Sequence, residues 1–203
     1  ATSLLHESIP DARVIIRQSI SSEIIENVIN GSLDFGLITH EEDLIEPDIL
    51  TETIGNNPIE VVAHKSHPLA NIKNLGISDL LGHPWVVPRS RELLREKLET
   101  LFTRHNLGKV RVAVETSGVL FALPYMRYTN ALAYIPRRVI EFVGPREEFV
   151  FLSVDEFKWS PKTMILRRRG ATLSPAAQMH LNLLRQVLKS EQHDKLKKSY
   201  DKK

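Results

Sequence analysis

The chain contains no cysteine. That excludes disulfides, thiolate catalysis and cysteine-based metal sites, and it fits a cytoplasmic protein. No apolar run approaches the roughly 18 residues that a membrane-spanning helix needs, so no membrane contact is expected. Aromatic residues make up only 6% of the chain. The formal net charge is +2, too small for the basic footprint of a nucleic-acid-binding surface. The first ten residues, Ala1 to Pro10, lack a basic start, an apolar centre and a cleavage site, so no secretory signal is read there. There is also no initiator methionine, which points to a chain that begins inside a larger protein. A P-loop, a dinucleotide fingerprint and a nucleophile elbow are all absent.

What is present is an ordinary globular composition, 42% apolar and 26% charged over 203 residues. That length supports one domain or two small lobes. Charge is unevenly spread. Glu41, Glu42, Asp43, Glu46, Asp48, Glu52 and Glu60 fall in a stretch without Lys or Arg and read as a solvated acidic loop. Lys189 to Lys203 is lysine-rich and reads as a frayed, solvated terminus.

The most informative stretch is Arg13 to Thr39. Arg13 to Arg17 is β-branched and apolar, which predicts a strand. Ser21 and Ser22 predict a helix start, because a serine hydroxyl can accept from the free N–H groups of a first turn. Ile24, Ile25, Val28 and Ile29 follow at helical spacing. Gly31 predicts the helix stop, and Leu33 to Thr39 a second strand. Strand, helix and strand of this size make a right-handed parallel crossover.

Further strands are predicted at 59–63, 85–87, 110–114, 131–135, 149–154 and 163–167. Helices are predicted at 1–9, 77–81, 90–106, 116–125 and 137–142, and from Ser174 onward, where Pro175 stands at the first helical position. Alternating strands and helices imply an α/β fold with largely parallel sheets. His64 to Ala70 reads as a crossing between two lobes. The expected first lobe is 1–63 with 164–203, and the second lobe is 64–163. The last helix is expected to pack back on the first lobe.

Five stretches in this order carry a family resemblance: Ser22 to Leu37, Val61 to Ala70 with its His67-Pro-Leu-Ala, Ile77 to Val87, Val114-Glu-Thr-Ser117 with Ala131 to Pro136, and Leu173 to Ala177. With them the chain resembles the effector-binding domain of LysR-type transcriptional regulators. Each motif alone is weak; their order over nearly the whole chain is the signal. The segment Arg127 to Pro136 departs from the family's glycine-rich pattern and is similar to a subgroup with an Arg-x-Thr-Asp-Ala variant.

The resemblance implies a two-lobed fold similar to periplasmic binding proteins, with a small-molecule effector in the cleft; the helix starts and Arg89 make an organic anion, a carboxylate, the expected effector. It implies a homodimer, a tetramer for the full protein, and DNA contact only through an N-terminal winged helix-turn-helix that this chain lacks. The family's domain opens with a strand before its first helix, and this chain starts near the end of that helix. No cofactor and no catalytic set are implied. A secreted solute-binding protein of the same fold is the alternative, and an enzyme on the same scaffold fares worst because no convergent acid, base or nucleophile is visible.

Helix N-termini bind carboxylates and phosphates through free N–H groups and partial positive charge. The strand-to-helix turn carrying Ser19, Ser21 and Ser22 is one candidate half-site; the resemblance gives the position of Ser21 an effector contact. Arg89, Ser90, Thr116 and Ser117 match the opposite wall, where Arg89 can pair with an acid group. All four of Ser21, Ser22, Thr116 and Ser117 are also expected as plain helix caps. His64 and His67 do not have the spacing of a helical metal pair and read as polar residues of a hinge.

Overall fold

The computed structural model describes residues 1–41, 46–90, 92–142 and 145–200, with side chains through 188. Glu42 and Asp43 of the expected acidic loop, and the side chains of the lysine-rich end, lie outside the described residues. Two compact units divide the chain: residues 1–56 with 162–203, and residues 57–161. The junctions lie beside each other, since Asn56 pairs with Lys162 and the Asn57 N–H donates to the Pro161 carbonyl at 2.9 Å. The division therefore falls earlier than the expected 63/64 boundary. His64 to Ala70 lies inside the second unit and is not a crossing.

In the first unit, helix α1 spans Thr2–Ser8 and α2 spans Ser21–Ile29. Strand β1 is Gly36–His40 and β2 is Ile49–Asn56. The chain returns through the strand Lys162–Arg168, numbered β8 below, and ends in the helix Pro175–Tyr200, numbered α6. The sheet order is β1-β8-β2, and both pairings are antiparallel. The expectation of a mainly parallel sheet fails here because the returning strand runs between β1 and β2, against both.

Arg13 to Arg17 is not a strand, despite its β-branched composition. Ile15 and Ile16 are 63% and 78% exposed. Strand propensity yields no strand where no neighbour is bonded. Conversely, β2 was hidden in the acidic stretch: Glu52 is on it, held by a forked contact from Arg185 at 2.6 and 2.9 Å.

Gly31 ends α2 with a φ of +77°, as the sequence predicts. Val28 of α2 meets Ile38, Ile49, Met164 and Leu166 in a small core, with Ile24, Ile25, Ile29 and Leu33 at its edge. Ser174 caps α6, its Oγ accepting from the Ala177 N–H at 3.2 Å. Helix α6 lies on this unit as expected, through fully buried Leu181 and a His180–Thr2 hydrogen bond of 3.1 Å.

The second unit carries β3 (Ile59–His64), β4 (Trp85–Val87), α3 (Leu93–Arg104), β5 (Val112–Glu115), α4 (Val119–Arg127), β6 (Leu132–Pro136), α5 (Arg137–Phe142) and β7 (Phe149–Leu152). The sheet order is β5-β4-β6-β3-β7. It is mixed: β4 is parallel to both neighbours, while β3 is antiparallel to both of its own.

Successive side chains of a strand face opposite sides, and here both sides are dry. Val61, Ala63, Trp85, Val87, Leu132 and Tyr134 face one core with Leu98, Leu101 and Phe102 of α3. Val62, Val86 and Ala133 face another, with Ala122, Leu123 and Met126 of α4 and Ile140 of α5. That double burial explains the near-continuous apolar runs that made these strands legible.

Candidate functional site

Each unit presents candidate residues where its strands end. In the first unit, the Ser21 hydroxyl at the head of α2 donates to the Thr39 carbonyl near the end of β1, at 3.5 Å. Ser22 beside it is exposed. The N-cap of α2 is Ile20, and no side chain caps the helix. The expected capping role of Ser21 and Ser22 is therefore corrected: both lie inside the helix, so its first N–H groups remain open to a ligand or water. The Ser19 hydroxyl donates to the Glu23 carboxylate one turn on.

In the second unit, Arg89 and Ser90 follow β4 and are exposed. Thr116 and Ser117 follow β5. The two loops are tied, because the Thr116 N–H donates to the Val87 carbonyl at 2.8 Å and the Ser117 hydroxyl to Glu92 at 2.5 Å. Parallel pairing of β4 and β5 is what brings their ends to one edge.

Helix α4 begins at Val119 behind Gly118, so Thr116 and Ser117 precede it, contrary to expectation. Thr116 Oγ1 accepts from the Gly118 N–H at 3.0 Å, a local turn that competes with helical continuation. The structure thus groups Ser19, Ser21 and Ser22 in one unit, and Arg89, Ser90, Thr116 and Ser117 in the other.

Sequence reasoning missed Glu23 and Glu92. Each accepts a hydrogen bond from the hydroxyl of a candidate serine. The four-residue step from Ser19 to Glu23 is the signal that was available; Glu92 had none, because its partner lies 25 positions away.

The histidine pair differs from a hinge. His67 is buried at 2% exposure inside the second unit. Its Nδ1 accepts from the Leu69 N–H at 3.1 Å, so Nε2 carries the proton and donates to the Asn130 carbonyl at 3.2 Å. Both nitrogens are spent, which leaves no lone pair for a metal. The His83 ring lies 4.7 Å away.

Burial pulls His67 below its ordinary value, and the neighbouring His83 adds to this against the Asn130 contact. Burial also lowers His83, helped by Arg111. A lowered folded-state value means that the unfolded chain binds protons first. Stability is therefore full above the ordinary 6.5 and is lost as pH falls below it. Thermal melts at pH 7.5 and 5.5 are expected to show this loss, reduced in His67→Gln; an unchanged slope in that variant would exclude His67 as its source.

A family model described as the LysR substrate binding domain matches residues 1–189. The HTH-type transcriptional regulator GbpR of Rhizobium radiobacter is 25% identical over 175 residues, 84% of this chain and 58% of that protein. GalR of Pseudomonas putida, another HTH-type regulator, is 22% identical over 88% of this chain and 45% of its own length. The chain thus spans about half the length of the curated relatives it matches.

Two solved structures share the fold. The regulatory domain of Synechocystis PCC6803 CcmR in complex with 2-PG has a TM-score of 0.78 and 23% identity, covering 93% of this chain and 89% of that one. The effector-binding domain of QuiR in complex with shikimate has a TM-score of 0.71 and 17% identity, covering 93% and 88%. By the family match across nearly its whole length, this chain is a member of the LysR substrate binding domain family.

Proposed function

We propose that the chain senses a small organic anion for a cytoplasmic bacterial transcription regulator, and that its occupancy controls DNA binding by a helix-turn-helix domain elsewhere in the full protein. The supporting observation is chemical. Uncapped α2 N–H groups stand beside Ser21 and Ser22, while Arg89, Ser90, Thr116 and Ser117 supply cationic and hydroxyl groups. The family resemblance puts these two sets on facing walls of a cleft.

Glu23 and Glu92 refine the ligand's chemistry. Each already accepts from a serine hydroxyl and can accept from a ligand hydroxyl in its place. A hydroxylated acid therefore suits the groups better than a bare one, and the shikimate bound by the QuiR domain is of that class.

A ligand shifts an equilibrium only by its differential affinity for the two states. The same reading makes the chain a homodimer, so its mass in light scattering is expected at twice 23.1 kDa.

Calorimetry against a set of small carboxylates, with neutral sugars as controls, tests the site. The expected result is an acid whose affinity falls about tenfold or more, roughly 1.4 kcal/mol, in the Ser21→Ala/Thr116→Ala double variant. Equal binding by both proteins would remove these residues from the site.

A further inference from the structure

The amino ends of β4 and β5 meet at a histidine pair that the effector site does not use. His67, on the turn after β3, is buried, and its ring lies 4.7 Å from that of His83. His83 stands two residues before β4. Arg111 immediately precedes β5, and its guanidinium donates to the Gly82 carbonyl at 2.8 Å. Three groups that can carry positive charge therefore share one corner. The segments that meet there are 64–70, 82–84, 109–111 and 127–131. Their other charged or titratable groups are His64, Lys65, Lys109, Arg127 and Tyr128. None is a carboxylate, and Arg127 already pairs with Glu148 at 2.6 Å. An imidazolium formed at this corner finds no counter-ion on these segments.

Strand β5 is poorly placed to resist such a charge. It has four residues, three of them exposed, and stands at the end of its sheet. Among the described residues it pairs only with β4. Just ahead of it, Val110 is buried in the core shared with α3 and fixes that point. Beyond Val110, backbone bonds to β4 hold the strand. The Trp85 N–H donates to the Arg111 carbonyl at 2.9 Å, and the Thr116 N–H to the Val87 carbonyl at 2.8 Å. Strand β4 is fully buried and pairs with β6 as well. Edge segments with little buried surface open locally before a whole domain unfolds.

We propose that this corner is a proton-operated latch, in which protonation of His67 and His83 repels Arg111 and lifts β5 from β4. Thr116 and Ser117 follow β5, and Arg89 and Ser90 follow β4, so opening parts the two loops of the second half-site. The opening itself needs nothing outside the second unit; its effect on ligand binding rests on the proposed effector site.

Acid drives the latch in this direction. In the closed form burial first, then His83 acting on His67 and Arg111 acting on His83, hold both rings below their ordinary value. Once β5 lifts, the rings regain water and take up protons more readily, so falling pH favours the open form. A proton on His67 Nδ1 also removes the acceptor that the Leu69 N–H uses.

Amide hydrogen exchange of the 203-residue protein at pH 7.5 and 5.0 tests the latch without any effector. Each rate is referred to that of an unstructured peptide at the same pH. The Trp85 and Thr116 amides report the bonds between β4 and β5. The Leu132 amide, which donates to the Pro84 carbonyl at 2.8 Å, reports the β6 side of β4. On acidification, protection at Trp85 and Thr116 is expected to fall at least about tenfold relative to Leu132. In His83→Gln, which keeps a neutral polar side chain, the fall is expected to stay under about twofold. Arg111→Gln leaves both histidines in place and is expected to reduce the fall by about threefold or more.

Protection lost in step at Trp85, Thr116 and Leu132 would mean that acid unfolds the whole unit, and overturns the proposal. A fall of wild-type size in either variant that keeps its protection at pH 7.5 overturns it too, as does the absence of any fall in the wild-type chain. Effector calorimetry can fail while the acid opening is observed, so the two readings are separable.

Discussion

Trp85→Ala is expected to destabilise the second unit by about 3–5 kcal/mol, the range for emptying a large aromatic from a core. Trp85 is fully buried on β4, between β5 and β6. Its ring meets Phe102 edge-on at 5.9 Å and stacks with Phe157 at 6.1 Å. Phe157 in turn meets Tyr134 at 5.2 Å. Truncation would leave a void that three other rings cannot close without leaving their rotamers.

Among the described residues, the buried Trp85 Nε1–H has no hydrogen-bond partner. Trp85→Phe removes that unpaired donor along with part of the ring, and an unpaired buried donor is itself costly. Its expected cost is therefore under about 1.5 kcal/mol, near that of a conservative core exchange. Urea unfolding of the two variants reads the difference. A Trp85→Phe loss well above about 1.5 kcal/mol would mean that the lost ring volume outweighs removal of the orphaned N–H.

Gly36→Ala is expected to cost about 1–3 kcal/mol, through overpacking. A Cβ at Gly36 would stand 2.5 Å from Ile24 Cγ2 and 3.3 Å from Val28 Cγ2. Ile24 is β-branched and sits in a helix, so its χ1 has one favoured setting and the methyl cannot swing aside. Helix α2 must instead lift from β1. Because Ser21 heads that helix, the variant is expected to weaken effector binding along with stability.

Ile24→Ala in the same chain would relieve the clash, so the double variant should lose less than the sum of the singles. Near-additive losses in a denaturation cycle would show that the close approach is not the cause.

Legibility followed the environment of each segment. Trp85-Val-Val87 and Ile59 to Ala63 were readable because both faces of the second sheet are dry, which forces apolar residues at every position. The Pro175 start and the Gly31 stop were readable because they rest on local backbone geometry. Arg13 to Arg17 misled because β-branched composition records what a segment would pair with, and among the described residues no strand pairs with it. Ile49 to Asn56 was obscured by Glu52, whose charge is answered by Arg185, 133 positions away. The serines at the two candidate half-sites were found, but their bonds were misjudged: Ser19 and Ser117 serve carboxylates, and neither α2 nor α4 receives a side-chain cap from them.

By itself, the order of residues determined the α/β class, the position of most helices and strands, the family resemblance and a short set of hydroxyl and arginine groups. These depend on interactions within a few residues or on period-two and period-3.6 burial. Tertiary structure alone decided the pairing directions, the 56/57 and 161/162 division, and the partnerships of Glu23, Glu52 and Glu92. Each of those is a contact whose energy depends on which distant segment arrives, and a local pattern carries no record of that.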